Sequence, residues 1–271
     1  MKKYSLFLSI IAFTLLINCS RSSSSNYNQK QEEGQQVEIP KNLDKRQNLK
    51  TTGDSANDIL SNNSFTKLLI EIAYVEGFKP KEQAVTEFTD FLKKYTFKET
   101  ISIIYKKLES PGVKKLELRK VRELEIKNRV AYNFDDTLSI YIYFADAPSD
   151  EDEPEKNLFT LGSVYRNTSM IIYESTLKGL VKDRPSLLTA LEAATLSHEF
   201  GHLFGLVNLG TTPVRDHEDV ESSNHCNVES CLMKAELQFG NSMKRMLVAK
   251  NGIVPDLDPE CLADLKANGG R

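Results

Sequence analysis

The sequence predicts an α+β fold, and three observations carry that expectation. Short runs rich in β-branched and aromatic residues recur at 66–76, 100–105, 138–144, 162–166 and 169–174, which makes about five strands, with 100–105 alternatively an extension of the helix before it. Helical periodicity alternates with them. Over 81–95 the residues Ala84, Val85, Phe88, Phe91 and Leu92 form one stripe, and a longer helical stretch covers 186–205. Third, the run 66–76 is apolar on both alternating sets, Leu68, Ile70 and Ile72 on one side and Leu69 and Ala73 on the other. That is the signature of a strand covered on both faces.

The elements follow in order. Gly77 and Pro80 end the first strand, and Pro111-Gly112 turns the chain after the second. Residues 114–130 are heavily charged and lean to helix, with Leu118, Val121, Leu124 or Glu125, and Ile126 near one face. The segment 138–144 is a clear strand. The stretch 146–155 holds six acidic residues and reads as a solvated loop, with calcium as an alternative occupant because calcium takes several carboxylate oxygens. Residues 162–166 and 169–174 are two short strands or one bent strand, and 179–185 is a connection. In the helix 186–205, Leu188, Leu191, Ala194 or Thr195, and Leu196 lie toward the core. Beyond Gly205 the chain turns polar and acidic, with weak helical character at 234–248 and a short helix at 261–265.

With 271 residues, 40 % of them hydrophobic and with 13 Phe and 10 Tyr, the chain can fill the core of one large domain. The net charge of −3, without a long basic block, argues against a nucleic-acid partner. Nothing indicates an oligomer, and a monomer is expected. The start, Met1-Lys2-Lys3 followed by a nearly all-apolar run over 4–17, reads as an export signal too short for a membrane span. Cys19 directly after it resembles the lipidation site of a bacterial lipoprotein signal. That resemblance implies a leader over 1–19, acylation of Cys19 (palmitate among the chains), and anchoring to a bacterial cell membrane, at the outer membrane or cell surface. The membrane is then touched through the lipid alone. Residues 20–60, rich in Ser, Asn, Gln, Lys and Glu, read as a disordered tether. The folded domain is expected over 61–271. Apart from Cys19 there remain Cys226, Cys231 and Cys261. Export permits disulfides, Cys226 and Cys231 are near enough to bridge, and Cys261 is then the odd thiol.

The chemistry concentrates in one stretch. His198-Glu199-x-x-His202 lies on the long helix, where positions four apart share a face, so both imidazoles reach one metal ion and Glu199 can hold a water beside it. The chain has only four histidines, His198, His202, His217 and His225, all within this region. Histidines placed for packing alone would scatter. The four therefore predict a zinc site.

With Gly205 three residues after His202, the motif resembles that of the metzincin clan of zinc peptidases. There the glycine turns the chain so that a third ligand three residues on can meet the metal. In this sequence that position is Asn208, a poor zinc ligand. A narrower resemblance, to archaemetzincins, is carried by His225-Cys226-x4-Cys231-Leu232-Met233, a histidine followed by two cysteines and a methionine at the spacing of that family. It implies His225 as third ligand after an insertion of about 17 residues, and Met233 as the Met-turn residue, an apolar floor under the imidazoles. His217 is the rival third ligand, and Asp216 and Asp219 are further alternatives. The family completes a second, structural zinc site with a late Cys-x-x-Cys. Here only Asp258-Pro259-Glu260-Cys261 stands in that place; Cys226, Cys231 and Cys261 with one carboxylate are an alternative second zinc site, and a Cys226–Cys231 disulfide is preferred over it.

The resemblance also implies a zincin catalytic domain of α/β/α type. A mixed twisted sheet and long active-site helix would form a subdomain over 61–205, and a small irregular subdomain with the Met-turn would cover 206–271. The implied activity is that of a zinc metalloendopeptidase: hydrolysis of peptide bonds in a peptide or protein substrate by metal-activated water, with Glu199 as general base. The strand over 163–173 is the candidate substrate edge, and Tyr165 and Tyr173 are candidate oxyanion partners. The alternatives are an inactive or structural metal-containing surface binding protein, which has no need of Glu199, and hydrolysis of a non-peptide amide.

Overall fold

The computed structural model describes residues 37–235, 240–249 and 251–271. Cys19, the expected leader over 1–19 and the first part of the expected tether lie outside the described residues. Among the described residues no helix is long and apolar enough to cross a membrane.

A short helix, α1 (Ala56–Leu60), precedes the sheet. Then come β1 (Lys67–Val75), α2 (Glu82–Tyr95), β2 (Thr100–Leu108), α3 (Leu118–Asn128) and β3 (Thr137–Phe144). β4 (Gly162–Arg166), β5 (Ser169–Ile172), α4 (Glu174–Leu180) and α5 (Leu188–Leu203) follow. The five strands form one mixed sheet in the order β2-β1-β3-β5-β4. All pairs are parallel except β4 with β5, so β4 is an antiparallel edge strand. The double-sided apolar run of β1 is explained by its place between β2 and β3. One set of its side chains, Leu68, Ile70 and Ile72, joins the α2–α5 layer, while Ala73 and Val75 join the α3 layer.

The α2 stripe behaves as read. Ala84, Val85, Phe88, Leu92 and Tyr95 are buried, and the Phe88 ring meets Phe200 of α5 edge-on at 5.3 Å. Full burial of one such ring stabilises by roughly 1.5–3 kcal/mol. In α3 the inward positions are Val121 and Glu125, while Ile126 is 55 % exposed and does not join the core face. Glu125 is fully buried because its charge is matched. It accepts from Arg129 at 2.8 Å, from Arg166 at 2.8 Å and from the Ser169 hydroxyl at 2.7 Å.

Residues 46–60, expected to be part of a disordered tether, belong to the fold. Arg46–Asn48 forms a 3-10 turn, and Asn48 is completely buried. Its amide donates to Asn133 Oδ1 and to the Ser139 carbonyl, and its side-chain oxygen accepts from Asn133 N–H. Ile59 and Leu60 are buried in the main core. Lys98 closes the passage from α1 to β1 by donating to the carbonyls of Asp58, Ser61 and Phe65. A polar segment can belong to a fold when its amides are matched one by one, and composition does not register that.

Helix α4 occupies part of the expected connection, and its seven residues are too few for a periodic signal. It meets α5 through two carboxyl groups, Glu174 and Glu192, both fully buried. Glu192 Oε2 accepts from Lys81 N–H at 2.7 Å at the start of α2, whereas neither Glu174 oxygen has a hydrogen-bond donor. The pair therefore needs a shared proton, and burial beside Glu192 pushes the Glu174 carboxyl up to about 10.

The region after α5 contains a small hairpin, β6 (Glu218–Asp219) with β7 (Ser222–Cys226), and the helices α6 (Gly240–Ala249) and α7 (Pro259–Ala267). The hairpin lies inside the polar insertion, where no strand is expected from the sequence.

Candidate metal centre

Helix α5 carries the centre, and every residue from Leu191 to Leu203 is buried. It lacks a polar face because it is enclosed on all sides, and small residues let neighbours approach. A Cβ on Gly201 would lie 2.2 Å from Met233 Sδ, and one on Gly162 of β4 would lie 2.6 Å from Glu199 Cγ. The helix stops as expected at Gly205, whose φ of +73° is open to glycine. Gly205 N–H and Leu206 N–H return to the carbonyls of His202 and Gly201. Asn208, at the position of the simple third ligand, turns away and donates to Glu218 Oε2 at 2.5 Å.

His198, His202 and His225 converge. Their potential ligand atoms lie within 4.8 Å of one another, and their ring centroids form a near-equilateral triangle of 5.0, 5.0 and 5.4 Å. Backbone carbonyls set two of the rings. His198 Nδ1–H donates to Leu232 O at 2.7 Å, and His225 Nδ1–H donates to Ser223 O at 3.0 Å. Each of these rings is then left with an Nε2 lone pair that is buried without a partner, and His202 Nδ1 is buried without one too. Burial keeps the rings neutral. It pushes His198 down to about 3, aided by His225, and holds His202 well below and His225 below the ordinary histidine value. Glu199 lies alongside, 2 % exposed, its carboxyl pushed up to about 8 by burial.

The segment 231–233 supports this arrangement from below. Leu232 supplies the carbonyl that orients His198, Leu232 N–H is tied to Asp256 O, and Cys226 N–H donates to Met233 O at 2.7 Å. Met233 is fully buried against α5 at Gly201.

His217 is not part of this triangle. It belongs to a second buried group with Cys226, Asp258 and Cys261, and Cys231 Sγ lies 3.6 Å from Cys261 Sγ. The expected Cys226–Cys231 bridge is not formed, and all three thiols are free and buried. Cys226 Sγ meets His217 Nδ1 and the other two sulfurs, and Cys231 Sγ lies against Cys261 Sγ. Asp258 stands in the turn that the sequence pointed to, and Asp264 is the residue that sequence reasoning missed here. The first caps α7 by accepting from Cys261 N–H and Glu260 N–H, and the second sits one helical turn after Cys261. The sequence signal was Asp258-Pro259, a cap residue before a proline at the first helical position. The acidic stretch 146–155 and the carboxylates of the insertion form no further metal-capable group among the described residues. Tyr165 and Tyr173 pack in the α3 layer, across the sheet from α5, and are not oxyanion partners of this centre.

No family model matches this chain, and no curated protein matches it. Among solved structures, an archaemetzincin from Methanopyrus kandleri superposes with a TM-score of 0.45 at 19 % identity, covering 76 % of this chain and 96 % of that one.

Proposed function

We propose that this chain is a zinc-dependent peptidase whose metal is held by His198, His202 and His225, with Glu199 as general base. The observation that carries this reading is the pair of buried Nε2 atoms, on His198 and His225, whose rings are already fixed by Nδ1–H bonds. Three imidazoles packed together for their own sake would leave lone pairs buried and unmatched at about 1–3 kcal/mol each. A cation removes that cost. Neutral imidazoles in a set of three, with a coordination position left over, suit catalytic zinc.

Zinc bound there would acidify a water and polarise a carbonyl. The remaining work falls to the chain. Leu232 O and Ser223 O hold two rings in the tautomer that presents Nε2. Glu199, buried and one residue past His198, takes the proton of the attacking water and returns it to the departing nitrogen. Gly162 brings the end of β4 against Glu199, so an extended peptide added along that edge strand passes the base. Met233 serves as the Met-turn floor beneath the rings. The reading retains export and acylation of Cys19, with a peptide or protein outside the cytoplasm as substrate.

The depth of the triangle favours a second reading, a structural metal centre without hydrolysis, since none of the three histidines is more than 7 % exposed. Zinc content and cleavage of a mixed peptide library, measured on the full chain carrying Cys19→Ser, separate the two. Glu199→Gln is expected to keep its zinc and lose activity by about 10²–10⁴-fold, and His225→Ala to lose the metal. A parent that binds zinc and cleaves nothing leaves the structural reading. Cleavage at the parental rate by Glu199→Gln removes Glu199 from the mechanism.

A further inference from the structure

The insertion between Gly205 and His225 carries a histidine that the triangle does not use. His217 is 2 % exposed although it sits in the sequence Asp216-His217-Glu218-Asp219. Its Nε2 pairs with Asp264 Oδ2 at 2.7 Å, which turns Nδ1 toward the thiols, 3.3 Å from Cys226 Sγ and 4.0 Å from Cys261 Sγ. Cys231 Sγ lies 3.6 Å from Cys261 Sγ. His217, Cys226 and Cys261 thus bring donor atoms within 4.8 Å of one another in a buried group that also includes Asp258, and Cys231 joins it through Cys261.

Two details argue for thiolates over packed thiols. Cys226 Sγ accepts from Val228 N–H at 3.4 Å, and Cys231 Sγ accepts from Met233 N–H at 3.3 Å. Backbone donors aimed at sulfur stabilise a negative sulfur. The other acid near the group, Asp258, has its Oδ1 engaged by Cys261 N–H at 3.0 Å and its Oδ2 by Glu260 N–H at 3.3 Å, with Cys226 Sγ at 3.7 Å. It is used as a helix cap. An imidazole with a carboxylate behind its second nitrogen is also the usual support of a metal-bound histidine.

We propose that His217 is the nitrogen ligand of a second, closed metal site made with Cys226, Cys231 and Cys261, and that Asp264 is its positioning residue. Three thiolates and one imidazole select zinc in tetrahedral geometry. The fourth ligand then comes from the insertion, not from the Asp258-Pro259-Glu260-Cys261 turn, so the metal clamps the insertion onto α7. Cys226 directly follows His225 on β7, so the clamp also sets where the third imidazole of the first centre stands. The site is independent of whether the first centre hydrolyses anything.

The test uses the full chain with Cys19→Ser, purified without chelator, with the first centre removed by His198→Ala and His202→Ala. That protein is expected to keep close to one zinc per chain, in a shell of three sulfurs and one nitrogen by X-ray absorption. Adding Asp264→Asn should weaken zinc retention against a competing chelator by roughly 10–100-fold, and adding His217→Ala instead, which removes a ligand, should weaken it further. His217→Cys should retain the metal with four sulfurs, which controls for a variant that merely misfolds. The proposal is overturned if the double variant holds no zinc. It is also overturned if titration finds one reactive thiol and a disulfide in place of three protected thiols, or if His217→Ala retains zinc as tightly as its parent with an oxygen from Asp258 in the shell.

Discussion

Replacing Glu174 by Gln should stabilise the protein, and by more as the pH rises. Glu174 and Glu192 face each other between α4 and α5, and Glu192 is already committed to Lys81 N–H. Burial, and then the charge of Glu192, push the Glu174 carboxyl up from 4.5 to about 10, although Lys178 Nζ approaches to 3.9 Å. In the unfolded chain the same group titrates near its ordinary value. The folded state therefore holds a proton that the unfolded state releases, so this contribution is complete below pH 4.5 and is lost as pH rises toward the folded value. At about 1.36 kcal/mol per pH unit, the loss by pH 7 is about 3 kcal/mol. Glutamine keeps a donor for Glu192 and has no proton to lose. Urea unfolding of parent and Glu174→Gln at intervals from pH 5 to pH 8.5 measures the difference directly, and effects of the histidines cancel between the two proteins. The expected result is a stability difference that grows in favour of Gln by about 1 kcal/mol per pH unit, with unchanged urea slope. A difference that stays flat across this range would show that Glu174 is ionised in the fold, and the shared-proton description would be refuted.

Gly201→Ala should destabilise by about 1–3 kcal/mol, despite the better helix propensity of alanine, because the new methyl meets Met233 Sδ at 2.2 Å. Thermal unfolding of Gly201→Ala beside Gly201→Ala/Met233→Ala checks it, since the second change should recover part of the loss. Gly162→Ala places a methyl 2.6 Å from Glu199 Cγ. On the proposed mechanism it should leave zinc content intact while lowering peptide cleavage by about 10²-fold, the scale of a 1 Å misplacement. Arg129→Met strips one partner from the buried Glu125 while Arg166 remains. Denaturant unfolding should register a loss of about 3–5 kcal/mol.

The triangle was legible where residue type and spacing coincide. His198 and His202 sit four apart on a helix that Gly205 must end, and His225 is tied by register to Cys226, Cys231 and Met233. The choice between His225 and His217 was open in the sequence because both lie in polar surroundings. The β6–β7 hairpin carries His225, and not His217, to the other two rings, and its two-residue strand is too short to leave a pattern. The core strands were readable because β1 and β3 are apolar on both faces. What escaped was the burial of polar residues outside the triangle. Nothing local in the sequence marks Asn48, Glu71, Glu174 or Glu192 as buried, and each meets its partner from another part of the chain. Glu71, for example, accepts from the N–H groups of Val130 and Ala131. Pairings of that kind are properties of the folded chain and leave no local trace.

One consequence of β4 concerns the behaviour of the protein in bulk. A strand that closes the sheet order on one side leaves a row of backbone donors and acceptors that any extended chain can complete, including a second copy of the protein. β4 is only five residues long and carries an irregularity in its pairing between Val164 and Arg166. These are features that keep an open edge from seeding aggregates. Straightening the irregularity would lower the concentration at which the protein stays dispersed, and light scattering against concentration would register it.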